Sequence, residues 1–189
     1  MAVTEQLNFE KVWTMFKETD RKFQESDRKF QETREEIRES NRILNKQIGD
    51  LGNRFGELAE HMVAPSIMEK FNELGFDFTQ KALDVVIKEP GKPSTEIDIL
   101  LENGDIVIAI EVKAKPKETD VDDHERRMEI LRERATKRKD DRKYRGAIAG
   151  AIMSDSLRNY IIKNGFYPIE QTGDTVKISI PENFNAREW

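Results

Sequence analysis

The sequence predicts a mixed α/β domain carried on a long N-terminal coiled-coil helix. Three observations carry that reading. An apolar residue stands at every seventh position from Phe9 to Leu58, two alternating apolar runs meet at Asn103-Gly104, and helical spacing flanks those runs on both sides. A period of seven marks a coiled coil, a period of two a strand, and a spacing of three to four an amphipathic helix.

The arm comes first. Phe9, Phe16, Phe23, Phe30, Ile37, Leu44, Leu51 and Leu58 form the heptad series, and no glycine or proline interrupts residues 3 to 48. At 1.5 Å per residue such a helix extends about 75 Å. Its second core position is mixed: Trp13, Ile48, Phe55 and Met62 fill the ends, while Asp20, Asp27, Arg34 and Asn41 occupy the middle. A seam this narrow leaves a lone helix marginal, so a homo-oligomer is expected. The alternative is a solvated single helix held by Glu–Lys and Glu–Arg pairs. The division that follows is a coiled-coil arm over 1–50 and a folded domain over 51–189.

Within the domain, Glu57–Leu74 has helical spacing and closes at Gly75, a residue suited to a helix C-terminus. Phe76–Ile87 reads as a strand, and Pro90-Gly91-Lys92-Pro93 as a loop. Asp120–Arg138 is a charged helix, Gly146–Met153 a buried strand, and Asp155–Lys163 a second helix. Phe166–Gln171 and Thr175–Ile180 make a last hairpin around Gly173-Asp174. The order is αβββαβ with a C-terminal αββ extension.

The hairpin over 96–113 holds the chemistry. With Asn103-Gly104 as a two-residue turn, residue 102 faces 105, Asp98 faces Ala109 and Glu96 faces Glu111. Alternation then sends Glu96, Asp98, Glu111 and Lys113 to one face and Ile97, Ile99, Leu101, Ile106, Ile108, Ile110 and Val112 to the core. Asp98 and Glu111 become diagonal neighbours, close enough to share an ion. Clustered carboxylates repel unless a cation neutralises them. Oxygen ligands suit Mg²⁺ or Mn²⁺. The alternative is an amphipathic hairpin with its charges at the wet end.

Asp98, twelve intervening residues, then Glu111-Val112-Lys113 resembles the PD-(D/E)XK nuclease superfamily. Ile97 stands where the family name has proline. The resemblance implies a restriction-endonuclease-like αβββαβ core. It also implies metal binding by Asp98 and Glu111, with help from the Val112 carbonyl, and a Lys113 that orients or activates water. A further acidic ligand comes from the first helix in many members. Among Glu57, Glu60, Glu69 and Glu73, the expected ligand is Glu60, and Gln171 is a weaker candidate for the pocket. The implied activity is Mg²⁺- or Mn²⁺-dependent hydrolysis of phosphodiesters in nucleic acid, DNA first. The alternative is a coiled-coil oligomer whose nuclease-like domain binds DNA or a protein without cutting.

Charge and composition frame these expectations. The 189 residues carry a net charge of −5, no cysteine, and only His61 and His124. Thiol catalysis, zinc ribbons and histidine-rich centres are thereby excluded. From His124 to Arg145 there are ten Lys or Arg against five Asp or Glu. Arg134, Lys137, Arg138, Lys139, Arg142 and Lys143 are the candidate phosphate contacts, the alternative being a helix with internal ion pairs. No apolar run reaches the length of a membrane span, so no membrane partner and a cytoplasmic location are expected.

Overall fold

The structure, a computed structural model, describes residues 9–88, 94–173 and 175–189. The expected Pro90–Pro93 loop and Asp174 lie outside the described residues. The chain divides into two compact units between Leu51 and Gly52.

In the first unit, residues 9–51 are helical, as part of α1 (Phe9–Val63). Exposed pairs at helical spacing line its surface, such as Arg21–Glu25, Arg28–Glu32 and Arg42–Glu39. Each is exposed and screened by solvent, so it adds little to stability. Every apolar residue of the heptad series from Phe9 to Leu51 is exposed.

The second unit begins inside α1. The sequence reads a new helix after Gly56, but Gly49, Gly52 and Gly56 all lie within α1, with open space where a Cβ would stand. The expected Glu57–Leu74 helix is instead split. α1 stops at Val63, just before Pro65, whose ring and missing N–H resist helix continuation. α2 (Ile67–Glu73) follows after one turn. Gly75 then takes φ +90°, as a helix terminus requires.

Six strands form one mixed sheet in sequence order: β1 (Gln80–Ile87), β2 (Thr95–Glu102), β3 (Ile106–Lys113), β4 (Lys143–Gly150), β5 (Tyr167–Thr172) and β6 (Thr175–Ile178). β1, β2 and β3 pair antiparallel. β3 through β5 run parallel, joined by α3 (Glu118–Lys137) and α4 (Asp155–Lys163), and β6 returns antiparallel. Parallel neighbours need such crossovers, and a hairpin does not.

The apolar alternation sends each strand's side chains to two cores. Ile99, Leu101, Ile108, Ile110 and Val112 pack with Ala59, Val63, Ile67 and Phe71. Val107, Ala109, Tyr144 and Ile148 pack with Val121, Met128 and Leu131 of α3 and Leu157 and Ile161 of α4. Ile97 leaves the first cluster for the second, although it shares its parity with Ile99. Strand β2 therefore changes face at Asp98.

A carboxylate cleft at a break in the sheet

The hairpin register differs from the expected one by one residue step in each strand. Glu102 faces Val107 and Leu100 faces Ala109. The cause is the Asn103 side chain: its Oδ1 accepts from the N–H groups of Asp105 (2.9 Å) and Ile106 (2.8 Å). The turn residues become Gly104-Asp105, and the Asn103 N–H closes onto the Ile106 carbonyl at 3.1 Å. Side-chain parity survives this shift within the ladder, so Glu111 keeps its expected face, whereas Asp98 stands where β2 changes face.

Extended by one step, this register would set Asp98 directly opposite Glu111, but the β2–β3 ladder ends at Ile99–Ile110. Asp98 Oδ2 takes over, accepting the Val112 N–H at 2.7 Å. The N–H and C=O of one strand residue address the same neighbour, so the Val112 carbonyl lies on the Asp98 side. On the other flank, Leu83–Ile99 and Val85–Ile97 bracket a missing pair, Asp84 against Asp98. Asp84 has φ +51°, a left-handed conformation that aspartate tolerates better than other side chains of its size. The sheet is thus interrupted on both sides of Asp98.

A cleft of about 480 Å³ opens at this break, lined by Glu57, Glu60, His61, Leu83, Asp84, Glu96 and Asp98 among others. Burial, and then the charge of Glu111, push the Asp98 carboxyl up to about 6, against the opposing pull of the Val112 N–H and Lys113. Burial and the nearby Asp84 also raise Glu60. Both groups resist ionisation because each sits among like charges in a partly dry site.

Glu111 is buried behind the cleft and is not one of its lining residues. Its Oε1 pairs with Lys113 Nζ at 2.6 Å and its Oε2 with Arg127 of α3. Burial works against the Lys113 charge, yet the hydrogen bond and charge of Glu111 hold its pKa above the ordinary value. The Lys113 side chain keeps 41% of its surface exposed, enough to meet a bound anion. The structure therefore brings Asp98 and Glu60 together in the cleft lining, with the Lys113 charge within reach of both, and tucks Glu111 beneath two cations. Among the described residues, no three carboxylate or imidazole groups converge as a ready-made metal cage.

Two contributors stand outside the expected triad: Asp84 was not singled out in the sequence, and Arg127 only as one of the ten basic residues after His124. Asp84 interrupts Ala82-Leu83-Asp84-Val85-Val86, and a lone acid inside a strand signals a register break. Arg127 is marked by helical phase, since it follows buried His124 by three positions and precedes buried Leu131 by four.

The candidate phosphate contacts lie elsewhere. Ile106 pairs with Lys143, five residues before Glu111 on β3, which is about 17 Å along a strand. Arg134 and Arg138 line a separate groove at that end with Asp140, Arg142 and Tyr144. Arg142 is committed to Asp140 (2.7 Å) and Glu102 (2.8 Å), and Lys143 pairs with Glu188 at 3.2 Å. Lys137 and Lys139 are exposed at and just beyond the end of α3. Gln171 donates to the Gly173 carbonyl at 3.2 Å and is not a lining residue of the cleft. No helix among the described residues is long and apolar enough to cross a membrane. Comparison with family models, with curated proteins and with solved structures returns no match to this chain.

Proposed function

We propose that the folded unit is a metal-dependent nuclease that hydrolyses phosphodiester bonds in nucleic acid, with DNA as the substrate to test first. The observation that carries this reading is Asp98, held at a double break in the sheet beside Glu111 and Lys113 and opening on an acidic cleft. The resemblance of Asp98, Glu111 and Lys113 to the PD-(D/E)XK pattern supports it. So does the run of a helix, three antiparallel strands, a helix and a parallel strand, the order expected of a restriction-endonuclease-like core.

The donors fit a hard divalent cation. Asp98 and Glu111 are adjacent, Asp98 ionises reluctantly without a neutralising charge, and Mg²⁺ needs only one or two carboxylates plus water and substrate phosphate. Glu60 and the Val112 carbonyl are the supplementary donors. When bound, the ion polarises a phosphoryl oxygen and lowers the pKa of a bound water.

The chain's own groups do the rest. Glu111 holds the Lys113 ammonium within reach of Asp98, where it would hydrogen-bond the attacking water or the phosphoryl oxygens on which negative charge develops. Arg127 brings a second positive charge to the same carboxylate and is partly exposed, so it is placed to neutralise substrate phosphate. Arg134, Lys137, Arg138 and Lys139 would meet the duplex about five base pairs from the cleft, at 3.4 Å per pair.

A second reading has one specific observation behind it: both Glu111 oxygens are already engaged by Lys113 and Arg127. On that reading the domain binds DNA without cutting it. Incubation with supercoiled, linear, single-stranded and branched DNA in Mn²⁺ or Mg²⁺ separates the two, run beside Lys113→Ala. Cutting that falls at least 100-fold in the variant, with unchanged circular dichroism, is the expected result. DNA retained in a gel shift but never cleaved would establish the second reading.

A further inference from the structure

We propose that the apolar stripe of α1 is an interface with a second copy of this chain, independently of any reaction at the cleft. Twelve large side chains form it: Phe9, Phe16, Phe23 and Phe30 open the heptad series and Trp13 starts the flanking row, with the rest at the same two phases up to Met62. All twelve are exposed. Exposed large apolar side chains repeated at one helical phase on this scale mark an interaction surface.

The period identifies the covering element. A straight helix rotates a seven-residue repeat by about 20° per heptad. Over the six intervals from Phe9 to Leu51 the stripe would turn through roughly 120°, so no flat surface or shallow groove can follow it. Another helix supercoiled at the same pitch can. The stripe is also narrow, one or two residues per heptad, which suits knobs-into-holes packing rather than burial in a broad groove.

Charge points to the same occupant. Residues 9–51 hold ten Lys or Arg and ten Asp or Glu. Helices that lie on membrane surfaces are rich in Lys and Arg on the polar face, and nucleic-acid arms are strongly basic; this arm is neither. A neutral surface of mixed sign lets two copies approach without repulsion. The near-repeats Lys17–Phe23, Gln24–Phe30 and Gln31–Ile37 make the stripe match itself.

The area suffices. Aromatic rings bury about 150–250 Å² each when covered. Six exposed rings and six aliphatic side chains then supply roughly 1,000 Å² per copy, or about 2,000 Å² in total. A standard stable interface buries about 1,600 Å².

The test is the mass of the full chain by sedimentation equilibrium from about 1 to 100 µM. The expected result is at least twice the mass of one chain, falling to one chain in Phe23→Asp/Phe30→Asp. Glu25→Gln/Glu32→Gln, on the opposite face, should leave the mass of the assembly unchanged. Thermal unfolding of the sheet domain, followed by near-ultraviolet circular dichroism, checks that the double aspartate variant still folds. A wild-type chain that stays monomeric at 100 µM overturns the proposal. So does an assembly that the double aspartate variant leaves intact, because the contact would then lie elsewhere. A monomer that sediments with anionic phospholipid vesicles overturns it in favour of a membrane surface.

Discussion

Replacing Asp98 with asparagine should stabilise this protein at neutral pH when no divalent ion is present. The folded Asp98 carboxyl titrates near 6 against an ordinary 3.8. Each unit corresponds to about 1.4 kcal/mol, so its ionised form carries a penalty of roughly 3 kcal/mol. Partial exposure and the weaker Val112 hydrogen bond of an amide reduce the net gain to about 1–2 kcal/mol. Asparagine still offers an oxygen to the Val112 N–H. A domain of this size shifts by about 2–4 °C per kcal/mol, so the variant should melt about 3–6 °C higher at pH 8 in chelator. An acid whose folded pKa is raised binds its proton more tightly in the folded state. The penalty therefore grows as pH rises from about 4 and is complete above about 6. The advantage of the variant should accordingly vanish near pH 4. Added Mn²⁺ reverses the order. Wild type gains about 2.7 kcal/mol at a hundred times its dissociation constant, and the variant gains little. The assay is thermal unfolding at pH 4, 6 and 8, in EDTA and in Mn²⁺. Destabilisation by asparagine of more than about 1 kcal/mol at pH 8 in EDTA would refute the reasoning. Asp98 would then be a strand cap rather than a carboxylate held at a cost.

Two further outcomes probe the scaffold. His124 is fully buried with Nε2 donating to the Ala109 carbonyl at 3.0 Å, and burial pushes its pKa down to about 4 from 6.5. The unfolded chain takes the proton first, so the contribution of His124 falls on acidification from 6.5 to 4, by up to roughly 3 kcal/mol, against the opposite trend of Asp98. His124→Gln should shift the urea midpoint upward on acidification across that window relative to wild type; parallel slopes would show that His124 does not contribute. Gly146 sits where an added Cβ would lie 2.3 Å from Phe166 Cε1, and the Phe166 ring is fully buried. Gly146→Ala should cost at least about 2 kcal/mol by overpacking, read as a lower urea midpoint with an unchanged slope; an unshifted midpoint would mean that the ring yields freely.

Local pattern made much of this molecule readable. Apolar alternation along Ile106–Lys113 places each side chain on its observed face, because parity along a strand is fixed by the pleat. Partner identity was not readable, because a single side chain moved the turn: Asn103 folds onto its own backbone instead of serving as the first turn residue. The split at Pro65 was visible in principle, as proline opposes helix continuation. The unbroken passage through Gly49, Gly52 and Gly56 was visible in the heptad series, which continues at Leu51 and Leu58, although each glycine costs a helix about 1 kcal/mol. Asp98, Glu111 and Lys113 could be named from sequence because they share one hairpin. Arg127 and Asp84 come from elements whose approach depends on the whole sheet. The basic run after His124 illustrates the same limit: its charges were countable, but α3 carries them away from the cleft as it returns antiparallel to β3.

The charges in the site are uneven over a short distance, and that unevenness argues for a ligand. Glu111 is a single buried carboxylate facing two cations, while Asp98, Glu60, Asp84 and Glu96 share a cleft with His61, and the Lys113 charge reaches Asp98 and Glu60. A purely structural arrangement would favour the reverse, since removing a partner from a buried pair costs about 3–5 kcal/mol, whereas clustered acids gain nothing by proximity. On the proposed reading, a dication at Asp98 and Glu111 would supply positive charge on the cleft side. It would also loosen the hold of Glu111 on Arg127, whose guanidinium would then need an anion within reach. A phosphate diester bound at the cation meets that requirement, so metal and substrate would each relieve a strain that the other leaves.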